Sequence, residues 1–131
     1  MTPLLFVLVA LAGGVGAALR FVLDSVLTPL GRGRFPVGIL LINASGSLAL
    51  GIVTALAAAT VLDDGVALAI GIGLLGGYTT FSTVSVETVR LVQEHRILAA
   101  AANALGTLVL CVALAWVGYA ATSSMMSPIG L

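Results

Sequence analysis

The chain has 131 residues, of which 60% are hydrophobic and only 8% are charged. A soluble domain carries about 25% charged residues, so this composition excludes a soluble protein and indicates one that resides in a membrane. Five arginines, with no lysine, balance five acidic residues, and the net charge of zero gives no sign of nucleic-acid binding.

The charged residues separate four apolar blocks. A helix needs about 20 mainly apolar residues to cross a bilayer, and each block is long enough. The predicted spans cover residues 3–27, 35–60, 65–92 and 97–120, with short connections between them. We therefore predict an all-α membrane protein in which residues 1–131 form a single four-span domain.

The arginines predict the orientation of these spans. They follow the first or the third apolar block and so share one side of the membrane: Arg20, Arg32, Arg34, Arg90 and Arg96. The opposite side carries Asp63 and Asp64 instead. Because cytoplasmic loops are enriched in basic residues, the arginine side is predicted to be cytoplasmic and both termini external.

The first two spans carry small residues and one amide. Gly13, Gly14 and Gly16 are typical of a face where helices pack closely. Asn43 lies in an otherwise apolar stretch, where an amide needs hydrogen-bond partners. It serves either as an interhelical hydrogen bond or as a donor along a watery path, and Ser47 lies one turn further on the same face.

The third span contains an unusual run of hydroxyls. Six of the eight residues from Tyr78 to Ser85 carry one, and Gly76 and Gly77 precede them. Two glycines followed by β-branched Thr79 and Thr80 predict a helix break near the middle of the span. Carbonyls freed by such a break are suitable ligands for a hard cation such as sodium, so the sequence predicts an ion site here.

Phe81 follows the predicted break. The edge of an aromatic ring is electropositive, so an anion can lie in its plane and leave again, although Phe81 could equally be a packing residue. In the fourth span, Asn103, Thr107 and Cys111 fall at i, i+4 and i+8 and so share one helical face.

Other functions find little support. The match of residues 71–76 to the dinucleotide motif GxGxxG has no preceding strand or βαβ unit. Cys111 is the only cysteine and His95 lies alone in a charged connection, so neither a disulfide nor a transition-metal cluster is predicted. Without a nucleophile–base–acid set, the chain is not expected to be an enzyme.

These residues, in this order, resemble the small fluoride channels of bacteria, the Fluc or CrcB family. The resemblance covers nearly the whole chain: residues 13–20 in the first span, 43–46 in the second, and 76–85 with Glu87 in the third. The last stretch, GGxTTFST followed by an acidic residue, is the most specific.

The resemblance implies a passive fluoride channel of the bacterial cytoplasmic (inner) membrane that exports fluoride and lowers its toxicity. It implies an antiparallel, dual-topology dimer with two pores and a structural sodium ion at its centre, held by the carbonyls of Gly76 and Thr79. Arg20 would stand at the aqueous vestibule, where its charge attracts anions. The residues that would border the fluoride path are Asn43, Thr80, Phe81, Ser82, Val84, Thr107 and Cys111.

The sequence departs from the family pattern in three ways. Val84 stands where a second phenylalanine is common, Asn103 stands where many members have tyrosine, and the arginine bias opposes insertion in both orientations. The chain could therefore be one half of a heterodimer with a partly degenerate pore, or a non-conducting assembly subunit. A small multidrug exporter is disfavoured, because its first span would need a carboxylate and none precedes Asp24.

Overall fold

A computed structural model describes residues 2–31 and 34–126, and its long elements are helices. Four helical stretches are long and apolar enough to cross a membrane, and they lie close to the predicted spans: Pro3–Gly31, Val37–Ala58, Asp64–Gln93 and Ile97–Met126. The predicted all-α architecture with four long apolar helices is confirmed.

The elements follow one another with short connections: α1, Pro3–Leu27; a 3₁₀ turn, Thr28–Gly31; α2, Val37–Ala58; α3, residues 64–78; α4, Phe81–Gln93; and α5, Ile97–Met126. The third span thus consists of two helices, α3 and α4, separated by two residues. Two segments are π-helical, Ala69–Leu75 in α3 and Ala102–Gly106 in α5. Such wide turns are rare and occur frequently at functional sites.

Side chains and turns mark the helix ends. Asp63 caps α3 by accepting a 2.8 Å hydrogen bond from the Gly65 N–H. After α4, His95 has a positive φ of 58°, its N–H donates to Val92, and the Arg96 N–H donates to Leu91. This is a Schellman arrangement, and it makes His95 an exposed turn residue.

Glycines allow the helices to approach closely in two pairs. In the α1–α3 pair, a Cβ on Gly16 would collide with the Leu74 carbonyl and one on Gly77 with the Gly13 carbonyl. In the α2–α5 pair, a Cβ on Gly51 would collide with the Ala115 carbonyl. These contacts agree with the packing prediction for Gly13 and Gly16, whereas a Cβ on Gly14 would meet open space.

The buried core is small and centres on α2. Ile39 and Ile42 of α2 pack against Val84 of α4, with Leu23, Leu27 and Tyr78 at the margin. Many large apolar side chains of α1, α4 and α5 remain exposed on the single chain. An outer surface of this kind is suited to contact with lipid or with another helical chain.

Most arginines lie at one end of the helix bundle. Arg34, Arg90 and Arg96 lie there, and Arg32 falls outside the described residues. Arg20 differs from the expectation that all arginines follow an apolar block, because it lies within α1. Arg90 forms ion pairs with Glu87 at 3.3 Å and Glu94 at 3.1 Å. The hydrogen bond from Arg90 lowers the pKa of the exposed Glu94 carboxyl.

Candidate functional site

The third span is interrupted at Thr79 and Thr80. Both have extended backbone, with φ, ψ of −80°, 157° and −153°, 127° respectively. The break near the middle of the span is therefore confirmed, but its position corrects the expectation that the glycine pair would form it. Gly76 and Gly77 are still helical, and Gly77 serves the close contact with α1.

Asn43 of α2 takes over both backbone groups of Thr80. Its Nδ2 donates to the Thr80 carbonyl at 2.9 Å, and its Oδ1 accepts from the Thr80 N–H at 2.8 Å. A buried backbone group without a partner costs free energy, and at membrane depth water does not supply one. Asn43 therefore supplies the acceptor that the Thr80 N–H loses at the break and adds a donor to the Thr80 carbonyl, and the amide has a second N–H left to donate.

Arg20 of α1 contacts the backbone just before the same break. Its Nε donates to the Gly77 carbonyl at 3.3 Å, within a partly buried contact. The next helical donor for that carbonyl would be the N–H of Phe81, which begins the new helix. The structure thus places Arg20 on the backbone beside the break rather than on a loop.

The other carbonyls at the end of α3 lose their helical donors. The Thr80 N–H, which would bond Gly76 in a continuous helix, bonds Asn43 instead. The Thr83 N–H, which would bond Thr79, donates to Thr80 Oγ1 at 3.4 Å. The backbone geometry therefore frees the carbonyls of Gly76 and Thr79 from the helical ladder.

The Tyr78 hydroxyl lies 3.0 Å from Ser45 Oγ, and the five serine and threonine hydroxyls of the run fall into two groups. Thr79 and Ser85 bond back to carbonyls four residues earlier, which satisfies them within their own helix. Thr80, Ser82 and Thr83 form a cluster at the start of α4, with Oγ–Oγ distances from Thr80 of 2.9 and 3.4 Å. Only this second group lies at the helix N-terminus.

A groove of about 210 Å³ opens beside the break. Its lining combines residues of α2, the break, α4 and α5: Asn43, Ser47, Thr79, Thr80, Phe81, Val84, Thr107, Leu108 and Cys111. The structure thus brings six of the seven predicted path residues together. Ser82 is exposed and lies outside this lining. Ser47 was not among the predicted path residues, although its spacing of one turn from Asn43 is a signal for it.

Two groove residues differ sharply in exposure. Phe81 is 71% exposed on the single chain, so its ring faces outward from the start of α4. Val84 is only 1% exposed and packs against Ile39 and Ile42. Val84 borders the groove as part of the core, and it offers no polarised ring edge.

The fourth span does not present one continuous polar face. Asn103 is fully buried, donates from Nδ2 to the Val84 carbonyl at 3.1 Å and to Thr88 Oγ1 at 2.9 Å, and does not itself line the groove. The π-helical segment between Asn103 and Thr107 widens the turn and offsets the two side chains. Thr107 and Cys111 line the groove, and buried Thr107 Oγ1 has no hydrogen-bond partner among the described residues.

A second cavity of about 80 Å³ lies at the arginine-bearing end. Charged groups line it, among them Asp24, Arg34, Glu87 and Arg90, together with Thr83. Because the Thr83 hydroxyl contacts Thr80 Oγ1, the hydroxyl cluster of α4 lies between the groove and this charged cavity.

Comparison with known proteins assigns the family. Residues 7–119 match the family model described as CrcB-like protein, Camphor Resistance (CrcB). The chain belongs to the CrcB/FluC family. A fluoride-specific ion channel FluC 1 of Leifsonia xyli subsp. xyli is 46% identical over 118 residues, which is 90% of this chain and 86% of that protein.

Further CrcB/FluC relatives agree. FluC 2 of Mycolicibacterium paratuberculosis is 43% identical over 89% of this chain and 93% of its own length. FluC of Shewanella denitrificans is 40% identical over 90% of this chain and 94% of its own length. Both are named fluoride-specific ion channels, so the predictions of a multi-pass membrane protein and of no enzyme are confirmed.

Proposed function

We propose that this chain is a passive, fluoride-selective channel and that its four spans form one channel domain. The observation that carries the proposal is the N-terminus of α4, which opens at mid-span into a groove with hydroxyl and amide groups. The first N–H groups of a helix lack intrahelical acceptors and carry a partial positive charge, so they attract an anion. An interrupted helix in a membrane is a known way to bring such an end to a transported ion.

The groove supplies what a small, strongly hydrated anion needs when it sheds water. The second N–H of Asn43 and the unpartnered hydroxyl of Thr107 are hydrogen-bond donors, and the exposed ring edge of Phe81 provides a weaker contact. Thr80 and Cys111 extend the polar lining, and Ser82 supports Thr80 through its hydroxyl. Weak contacts in sequence allow the ion both to enter and to leave.

The end of α3 has the opposite character and fits a structural sodium ion. The carbonyls of Gly76 and Thr79 are freed from the helical ladder, and oxygen ligands of this kind suit a hard cation. The bound ion would supply a fixed positive charge beside the break. The residues of the chain do the rest: Asn43 and Arg20 hold the backbone around these carbonyls.

We propose an antiparallel homodimer as the functional unit, because the groove is open on the single chain and Phe81 faces outward at its edge. A second chain would close the groove and shield the break from lipid. A heterodimer with a related chain is the second candidate. The concentration of Arg34, Arg90 and Arg96 at one end favours it, because positive charge biases insertion toward one orientation.

The direction of transport follows from passive flow. Hydrogen fluoride enters a cell as a neutral acid and ionises inside, so a passive path lets the accumulated anion leave. The arginine-bearing end, with the charged cavity beside Thr83, is the proposed cytoplasmic entrance.

Fluoride efflux from liposomes that contain only this purified chain tests the proposal. A fluoride electrode should record efflux, and chloride-loaded vesicles should show none. Efflux that requires co-reconstitution with a related chain would replace the homodimer by the heterodimer. Well-folded protein that conducts fluoride in neither preparation would contradict the channel and leave an assembly subunit.

A further inference from the structure

Arg20 is the one charged residue between Met1 and Leu23. It lies within α1, at a depth where this helix contacts the end of α3. An ionisable side chain inside a membrane segment is costly and usually has a specific partner. Here the partner is a backbone carbonyl, that of Gly77.

The carboxylate nearest to Arg20 along α1, that of Asp24, has a different hydrogen-bond partner. Asp24 lies one turn beyond Arg20 on α1, and its Oδ1 accepts a hydrogen bond from Thr28 Oγ1 at 3.1 Å. The Arg20 guanidinium donates instead to the backbone beside the break. A hydrogen bond from a charged donor to a carbonyl is stronger than one between neutral groups.

The contact separates the carbonyls at the end of α3 into two kinds. The Gly77 carbonyl accepts from Arg20, whereas the carbonyls of Gly76, directly before it, and of Thr79, two residues after it, have lost their helical donors. Three residues after Gly77, Asn43 holds both backbone groups of Thr80. Side chains of α1 and α2 thus form hydrogen bonds with the backbone immediately before the break and within it.

We propose that Arg20 is a positioning residue for the break: by holding the Gly77 carbonyl, it fixes the orientation of the two-residue extended segment and leaves the carbonyls of Gly76 and Thr79 available. The role is distinct from attracting anions at a vestibule, since it acts through one directed hydrogen bond. This proposal rests on the proposed function only in one part, the binding of sodium by the Gly76 and Thr79 carbonyls.

The sequence permits a selective spectroscopic test. Both tyrosines follow a glycine, so labelling glycine with ¹³C at the carbonyl and tyrosine with ¹⁵N gives only two Gly–Tyr signals, from Gly77–Tyr78 and Gly118–Tyr119. Threonine labelled with both isotopes gives one Thr–Thr signal, from Thr79–Thr80. The first sample reports on the Arg20 contact and the second on the break.

Arg20→Met removes the donor while keeping the length and apolar stem of the side chain. We expect the Gly77 signal and the Thr79–Thr80 signal to move, and the Gly118 signal, which reports the α2–α5 contact, to stay in place and show that the variant is folded. Arg20→Lys keeps a charged donor and should return both signals toward their original positions. An unchanged Gly77 signal, or a Gly77 shift without a change at Thr79–Thr80, would overturn the proposal.

The sodium site is tested separately in the threonine sample. Replacing N-methylglucamine by sodium should move the Thr79–Thr80 signal of the unsubstituted protein, and Arg20→Met should raise the sodium concentration for half of that shift by roughly tenfold. No effect of sodium on the unsubstituted protein would contradict the sodium site. The response of the Gly77 signal to Arg20→Met would still decide the role of Arg20.

Discussion

Two buried amides, Asn43 and Asn103, bind the third span in different ways, one at the helix break and the other further along α4. Asn43 bonds an extended residue, Thr80, and uses both its oxygen and its nitrogen on that backbone. Asn103 bonds residues of the formed helix α4, where backbone N–H groups already have partners. Its Oδ1 is buried without a hydrogen-bond partner among the described residues.

The difference shows how one residue type takes two roles in similar apolar surroundings. Where the helix is interrupted, a side-chain amide matches the donor and the acceptor of a peptide group, so it stabilises an irregular backbone at membrane depth. Where the helix is complete, the same amide finds only an additional acceptor and acts as a link between helices. Only Asn43, at the interruption, also lines the groove.

The largest expected effect is that of Asn43→Asp. The carboxylate stands on the proposed anion path, and at an effective dielectric constant of 20 a like charge 4 Å away costs about 4 kcal/mol. Fluoride efflux should fall by roughly a hundredfold or more. Asn43→Leu is the uncharged control: it loses both Thr80 contacts, whereas an aspartate can still accept from the Thr80 N–H, and it should nevertheless retain more efflux than Asn43→Asp. Equal efflux from the two variants would show that the added negative charge does not cause the loss of efflux.

The two amides should also differ in their contribution to stability. Asn43→Ala leaves both backbone groups of Thr80 without their side-chain partner, and we expect a loss of about 2 kcal/mol in the free energy of unfolding. Asn103→Ala should cost only about 0.6 kcal/mol, because the Val84 carbonyl still accepts from Thr88 Oγ1. Reversible unfolding in mixed micelles measures both, and the reverse order would contradict the comparison.

A smaller effect is expected from Thr107→Val. Thr107 is only 5% exposed and its Oγ1 has no hydrogen-bond partner among the described residues, so removal of the hydroxyl should change the free energy of unfolding by no more than about 0.5 kcal/mol. Fluoride efflux should nevertheless fall several-fold if this hydroxyl faces the ion.

Thr88→Val is the control for that measurement. The Thr88 hydroxyl donates to Val84 and accepts from Asn103, but it does not line the groove. The control should lose about 1 kcal/mol of stability and keep its efflux. Loss of efflux in Thr88→Val and not in Thr107→Val would show that packing, rather than the groove, governs conduction.

Much of this architecture could be predicted from the sequence. Four apolar blocks predicted four helices, because each block alone satisfies the length that a bilayer demands. The hydroxyl run predicted the neighbourhood of the break, since threonines bond back to carbonyls and β-branched residues weaken a helix. The expectation that the glycine pair itself forms the break was wrong. Gly77 allows the close approach of α1, and a local sequence pattern does not reveal a contact with a neighbouring helix.

The parts that escaped prediction depend on contacts between distant residues. Arg20 and Gly77 are 57 positions apart, and Asn43 and Thr80 are 37 positions apart. The π-helical segment at Ala102–Gly106 has no motif of its own, yet it separates Asn103 from the groove and leaves Thr107 in it. Helical spacing correctly related Thr107 to Cys111 because the helix between them is regular.

The central claim is that fluoride passes along the groove beside the break, and Cys111 allows it to be tested directly. This residue is the only cysteine of the chain, and it lines the groove. The measurement is fluoride efflux before and after treatment with a small methanethiosulfonate, with complete modification verified by mass spectrometry. We predict that modification stops efflux and that Cys111→Ser conducts with or without the reagent. Fully modified protein that conducts fluoride at its original rate would contradict the account.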